Sequence, residues 1–277
     1  MKQPTAGLKI LALGIGFFAS AAVYAVDGVI LIDQNKALAG SVTPGDAAGF
    51  PVTITRSGSY RLTSDLTVPD ADTTAIDVTT TAEDVTIDLN GFAIVGPVVC
   101  TGSSVANPPT NCAPIPASAS IFGPGVGVRA APNRSITIRN GTIRGMGRHG
   151  IFVFNAPQTR VEGMIVMGNG AEGIFGGLAT IIDNIVEGNL GNGIAFNQGL
   201  IRGNNLRRNG ANGIISTGIG GIISGNNIYR NGGFALSSLA NSPYSFNNLD
   251  NNFSGFVDPP SSGFNAGGNG CNGAMCP

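Results

Sequence analysis

The sequence predicts an all-β chain wound as a right-handed parallel β-solenoid, and three observations predict it. The first is a set of apolar columns. One runs through Ile94, Ile143, Val166, Val186, Leu206, Ile228 and Leu249, with spacings of 23, 20, 20, 22 and 21 after the first interval. Two others keep its register: Ile151, Ile174, Ile194, Ile214, Leu236 and Val257 lie eight residues after it, and Leu89, Ile138, Val161, Ile181, Ile201, Ile223 and Tyr244 five before it. The second is what fills them. Isoleucine and valine suit strands, whereas a leucine-rich repeat of this period would show L-x-x-L-x-L. The third is the punctuation: Gly, Asn and Asp between the columns supply the positive φ that tight turns need. Each of the 43 glycines would cost about 1 kcal/mol against alanine in a helix interior. Each coil of about 20–23 residues then holds three short strands, stacks on the next at ~4.8 Å, and buries its apolar face only on its neighbours. Right-handed winding follows the bias of parallel crossovers.

Taken in order, residues 1–25 read as a signal peptide. Lys2 and Lys9 give a positive start, Ile10 to Ala22 an apolar run, and Val23 with Ala25 the small residues before a cut at Val26. That run is too short to cross a hydrocarbon core that needs about 20 residues, so secretion to the periplasm, the medium or the cell surface is expected, with no membrane span after the leader. Residues 26–84 alternate irregularly, as an N-terminal cap and first coils would. The solenoid proper spans 85–257, and the 49-residue interval from Ile94 to Ile143 leaves room for one coil and a projecting loop over 97–124. Cys100 and Cys112 flank that insert, and Cys271 and Cys276 sit in a Gly/Asn-rich tail over 258–277. Three pairings are possible in an oxidising compartment; the two local ones are expected, and no histidine lies near either pair to suggest a metal. Asn169, Asn189, Asn209, Asn231 and Asn252, three after the first column, should stack as an amide ladder.

The segments NGIAF at 192–196, NNLRRNGANGI at 204–214 and NNIYRNGG at 226–233 make the chain similar to the parallel β-helix repeat proteins of the pectate-lyase-like superfamily, NosD-like periplasmic proteins among them. GSYRLTSDLTVP and VTIDLNGFAI resemble the opening coils of secreted bacterial members. Many members bind or cleave acidic polysaccharides, so the resemblance implies that partner class; it is specific for fold and weak for function.

Composition and motifs narrow the chemistry. With Lys2 and Lys9 set aside, thirteen basic residues face sixteen acidic ones, which argues against a nucleic-acid partner. The superfamily's paired aspartates and its D-P-H-D-like motif are missing, and carboxylates in the repeats are too sparse for a calcium site, which takes six to eight oxygens. No cofactor or metal is expected. One catalytic candidate remains: the register stacks His149 on Glu172 with Arg148 beside them, a constellation suited to abstracting a proton from a uronate held by arginine. The binding candidates are Arg207 and Arg208, followed one coil later by Tyr229 and Arg230 in the same two columns, since arginine forks and a tyrosine ring suit carboxylated sugars. Ladder ion pairs, Glu187 with Arg207 and Glu162 with Arg139, should neutralise part of that basic face. Phe152, Phe175, Ala195 and Ile215 form an outward apolar column that the insert, the tail or a partner would cover. Two readings follow: a noncatalytic exported β-helix that binds an extended acidic polysaccharide or serves as a surface scaffold, and a polysaccharide lyase or uronate epimerase using His149, Glu172 and Arg148.

Overall fold

The computed structural model describes residues 28–102, 107–117, 124–130, 132, 135–154, 156–239, 241–259 and 263–276. The expected leader and its cut lie outside the described residues. The described chain is a right-handed parallel β-solenoid of about nine turns. The first column pairs rung by rung from Leu66 through Ile94, Ile143, Val166, Val186, Leu206, Ile228 and Leu249 to Cys271. The second runs from Val52 through Ile76, Val128, Ile151, Ile174, Ile194, Ile214 and Leu236 to Val257. These side chains form one continuous core, with Phe196 and Tyr60 among its largest fully buried members.

The third column contains one correction. Ile87, not Leu89, pairs with Ile138. The turn that follows Ile87 is two residues longer than in later coils and passes through positive φ at Asn90 and Gly91, which carries Leu89 out of the rung. It stays fully buried and fills the space beside Gly141, where an added Cβ would come within 2.3 Å of it.

The predicted asparagine ladder is present. Asn169, Asn189, Asn209 and Asn231 each donate from Nδ2 to Oδ1 of the next asparagine, ending at Asn252, at 2.8–2.9 Å. A second ladder five residues earlier, Asn184, Asn204, Asn226, Asn247 and Asn269, repeats the pattern at the opposite end of the same short strand. Close packing around the first ladder explains the recurrent N-G-I. A Cβ on Gly193 would lie 2.8 Å from Asn209 Nδ2 and 2.8 Å from Leu206 Cδ2, so nothing larger than glycine fits.

Regular rungs begin earlier and end later than the sequence suggests. Ile30, Tyr60 and Ile87 are already in register, behind a short helix, Gln34–Ala39, whose N-cap Asp33 accepts from the Lys36 backbone N–H at 2.8 Å. Within 258–277, Phe264–Asn265 and Gly270–Cys271 form one more partial coil on Pro243–Tyr244 and Asn248–Leu249. The chain then turns back so that Ala274–Met275 pairs antiparallel with Gly270–Cys271, and Cys271 is joined to Cys276.

The insert also differs from the projecting loop expected. Val99–Gly102 and Pro109–Ala113 form an antiparallel hairpin joined by Cys100–Cys112. It lies down along the solenoid across successive turns: Cys100 Sγ sits 3.3 Å from the Gly168 carbonyl oxygen, and Cys112 and Val98 are buried against Leu190. A disulfide sulfur has no proton to donate, so the contact is packing. Burial of the apolar hairpin face is the physical reason the loop does not stand clear.

Candidate functional site

The sheet that ends in the asparagine ladder has an outer face made of two columns. One reads Arg144, Met167, Glu187, Arg207, Tyr229, Asp250. The other is the corner that follows it, where the backbone is left-handed: Gly145, Gly168 and Gly188 occupy it first, then Arg208 at φ 53° and Arg230 at φ 56°. A bulky residue with positive φ is uncommon because its Cβ crowds the backbone. Two successive coils thus place arginine where earlier ones place glycine.

The predicted binding residues are brought together, with a change in their charge. Glu187 Oε2 accepts from Nε of Arg207 and, at 3.3 Å, from Nη2 of Arg208, while Arg207 Nη1 donates to the Tyr229 hydroxyl at 3.1 Å. One carboxylate therefore braces two guanidinium groups and cancels part of their charge. Arg230 and Arg144 are exposed and make no ion pair among the described residues. Tyr229, Arg230, Asn227, Asn248, Asp250 and Asn251 line an open hollow of about 360 Å³. Sequence reasoning missed Arg144, Asn248 and Asp250; their positions one rung from Met167, Asn227 and Tyr229 were the available signal. The expected Glu162–Arg139 ladder pair is replaced: Arg139 reaches back to Asp88 at 3.2 Å and Glu162 holds Arg160 of its own strand at 2.6 Å.

The catalytic candidates divide. His149 Nδ1 lies 3.0 Å from Glu172 Oε2, as the register predicts. Glu172 Oε1 accepts from Asn192 at 3.2 Å, Asn192 Oδ1 accepts from Asn212 at 3.1 Å, and Asn212 Oδ1 accepts from the Phe234 backbone at 2.8 Å. His149 thus ends a third polar ladder. It is 1% exposed, with its ring 5.2 Å from Phe152 and 5.6 Å from Phe175. Arg148 is buried and makes no ion pair among the described residues, tied instead through its backbone to Gly125 and Ala171. The outward column is not an open strip: Phe152 and Ala195 are buried, and Phe152, Phe154 and Phe175 pack on one another at 5.3–6.2 Å.

Burial works to raise the Glu172 pKa, but hydrogen bonds and charge from His149, its own backbone and Asn192 outweigh it and hold the carboxyl below its usual value. A carboxyl depressed in the folded state contributes stability that is present above its unfolded pKa and lost as pH falls through the folded one. Melting temperature is therefore expected to drop as the solution is acidified from pH 5 towards 3, and Glu172→Gln should flatten that part of the profile. An unchanged acid limb in the variant would remove Glu172 from the account.

Stacked parallel rungs with internal asparagine ladders define a right-handed parallel β-helix protein. The chain matches the family described as right-handed beta helix region over residues 122–272 and belongs to it. Among solved structures it is similar to the Dettilon tailspike protein gp208 at a TM-score of 0.42 and 14% identity, over 78% of this chain and 57% of that one. It thus spans little more than half the length of that tailspike chain. It is also similar to a variant of the periplasmic alginate epimerase AlgG at a TM-score of 0.38 and 11% identity, over 88% of this chain and 84% of that one. No curated protein sequence matches it.

Proposed function

We propose that the protein is an exported, noncatalytic β-helix that binds an extended acidic polysaccharide along the face bearing Arg207, Arg208, Tyr229 and Arg230. The observation that supports this most is the pair of left-handed corner arginines in successive coils, Arg208 braced by Glu187 and Arg230 exposed beside the Tyr229 hollow with no ion pair among the described residues. Four arginines of the face, Arg144 included, meet two carboxylates, Glu187 and Asp250, and the coil spacing of ~4.8 Å offers a regular row to a regular polyanion. Two disulfides fit an oxidising compartment. No helix among the described residues is long and apolar enough to cross a membrane.

Alginate or pectate should bind at low salt and dissociate as ionic strength rises, because the Debye length shrinks from ~10 Å at 0.1 M to ~3 Å at 1 M. Arg230→Ala is expected to weaken binding by about tenfold, on the scale of one charge-assisted contact, without changing the melting temperature; Arg207→Ala with Arg208→Ala should weaken it further. A neutral glucan should bind much less. Salt-independent binding, or wild-type affinity in the Arg207→Ala, Arg208→Ala double variant, would leave the scaffold reading in its place.

The second reading, a polysaccharide lyase or uronate epimerase, draws on the 3.0 Å contact between His149 and Glu172. The burial of His149 weighs against it, since a general base must come within hydrogen-bond reach of the proton it removes. Unsaturated products seen by ultraviolet absorbance, or epimerised residues seen by NMR, that vanish in His149→Ala would overturn the noncatalytic reading.

A further inference from the structure

Between the disulfide-linked hairpin and the solenoid wall lies a pocket of about 560 Å³, within the roughly 300–1,000 Å³ usual for small-ligand sites. Its floor is Met167, Gly168, Glu187, Gly188 and Arg208; its wall is Cys100, Thr101, Gly102, Asn107 and Pro109. We propose that this pocket is a discrete subsite for one sugar unit of the acidic glycan, the point at which the chain is anchored, while the open face beyond it engages the rest. The proposal rests on the polysaccharide reading above and adds a place and a selective element to it.

Three features carry it. The lining is two-sided: Met167 and Cys100 offer apolar surface for the C–H face of a pyranose, and Thr101, Asn107 and Arg208 offer polar groups for its hydroxyls and carboxylate. The floor is cleared for a ring, because Gly168 and Gly188 have open space where a Cβ would stand. The pocket also meets the basic face through Arg208, the one arginine common to both, whose guanidinium Glu187 holds at 3.3 Å. A wall fixed by a covalent bond is preorganised, which spares the ordering cost that a free loop would add to binding.

The test measures binding of a galacturonate hexamer and of pectate by titration calorimetry, with thermal melts alongside. Met167→Glu puts a carboxylate into the pocket and is expected to weaken the hexamer at least tenfold with melting unchanged. Asn107→Ala should weaken it several-fold, and decides the matter if Met167→Glu does not fold. If Arg230→Ala weakens binding but neither Met167→Glu nor Asn107→Ala does, the subsite is overturned and the basic face stands. If wild-type protein binds neither ligand, the subsite and the polysaccharide reading fall together.

Discussion

Ile194→Asp and Leu206→Asp are each expected to yield no folded protein. Both side chains are fully buried, Ile194 between Ile174 and Ile214, and Leu206 between Val186 and Ile228. Removing either forfeits about 1.5–3 kcal/mol of apolar burial, and seating a carboxylate there costs several kcal/mol more. Total stabilities of domains are only ~5–15 kcal/mol. The damage is amplified by the architecture, because a coil is stabilised by the coils on either side, and a broken rung in mid-stack uncouples the two halves. Circular dichroism and a thermal melt of purified material check this; a wild-type melting temperature in either variant would mean that the side chain does not lie inside.

The second large effect belongs to the asparagine ladder. Asn209 donates to the Val186 carbonyl and to Asn231 Oδ1, and its own Oδ1 accepts from both the backbone and side-chain nitrogens of Asn189. Asn209→Leu keeps much of the volume but strands two buried donors of Asn189, at about 1–3 kcal/mol each. Asn212 lies in the half-buried outer ladder, where water can replace what is lost. Asn209→Leu is therefore expected to lower the unfolding free energy by about 2–6 kcal/mol, and Asn212→Leu by clearly less, as read by urea denaturation. Equal losses would show that the inner amides are not linked as described.

The rungs were legible because a stacked interior imposes one requirement on every coil, and that requirement survives changes of turn length. It failed at Leu89, where a longer turn let an equally apolar neighbour leave the rung without leaving the core. The second amide ladder was written in the chain as asparagines five residues apart, Asn184 with Asn189 and Asn204 with Asn209. An apolar scan passes over it because polar residues carry no hydrophobic period. The last coil escaped for a related reason: a half-cystine, Cys271, stands in the apolar column. At the candidate face, register placed Arg207 over Glu187 correctly. It could not say that the same carboxylate would also hold Arg208, because that depends on how long side chains bend across a corner. The fold of the insert depends on which side of the solenoid it meets, and nothing periodic records that.

A parallel stack is a template: its terminal strand presents unpaired N–H and C=O groups to any further strand, including one from another molecule. The chain's reversal at Gly270–Met275 alters what such a visitor would meet. The returning strand runs against the direction of the rungs, and the bond from Cys271 to Cys276 holds it there. An incoming parallel coil finds a neighbour of the wrong polarity at that corner. At that corner the closing hairpin thereby breaks the parallel order that edge-to-edge pairing of another coil would need.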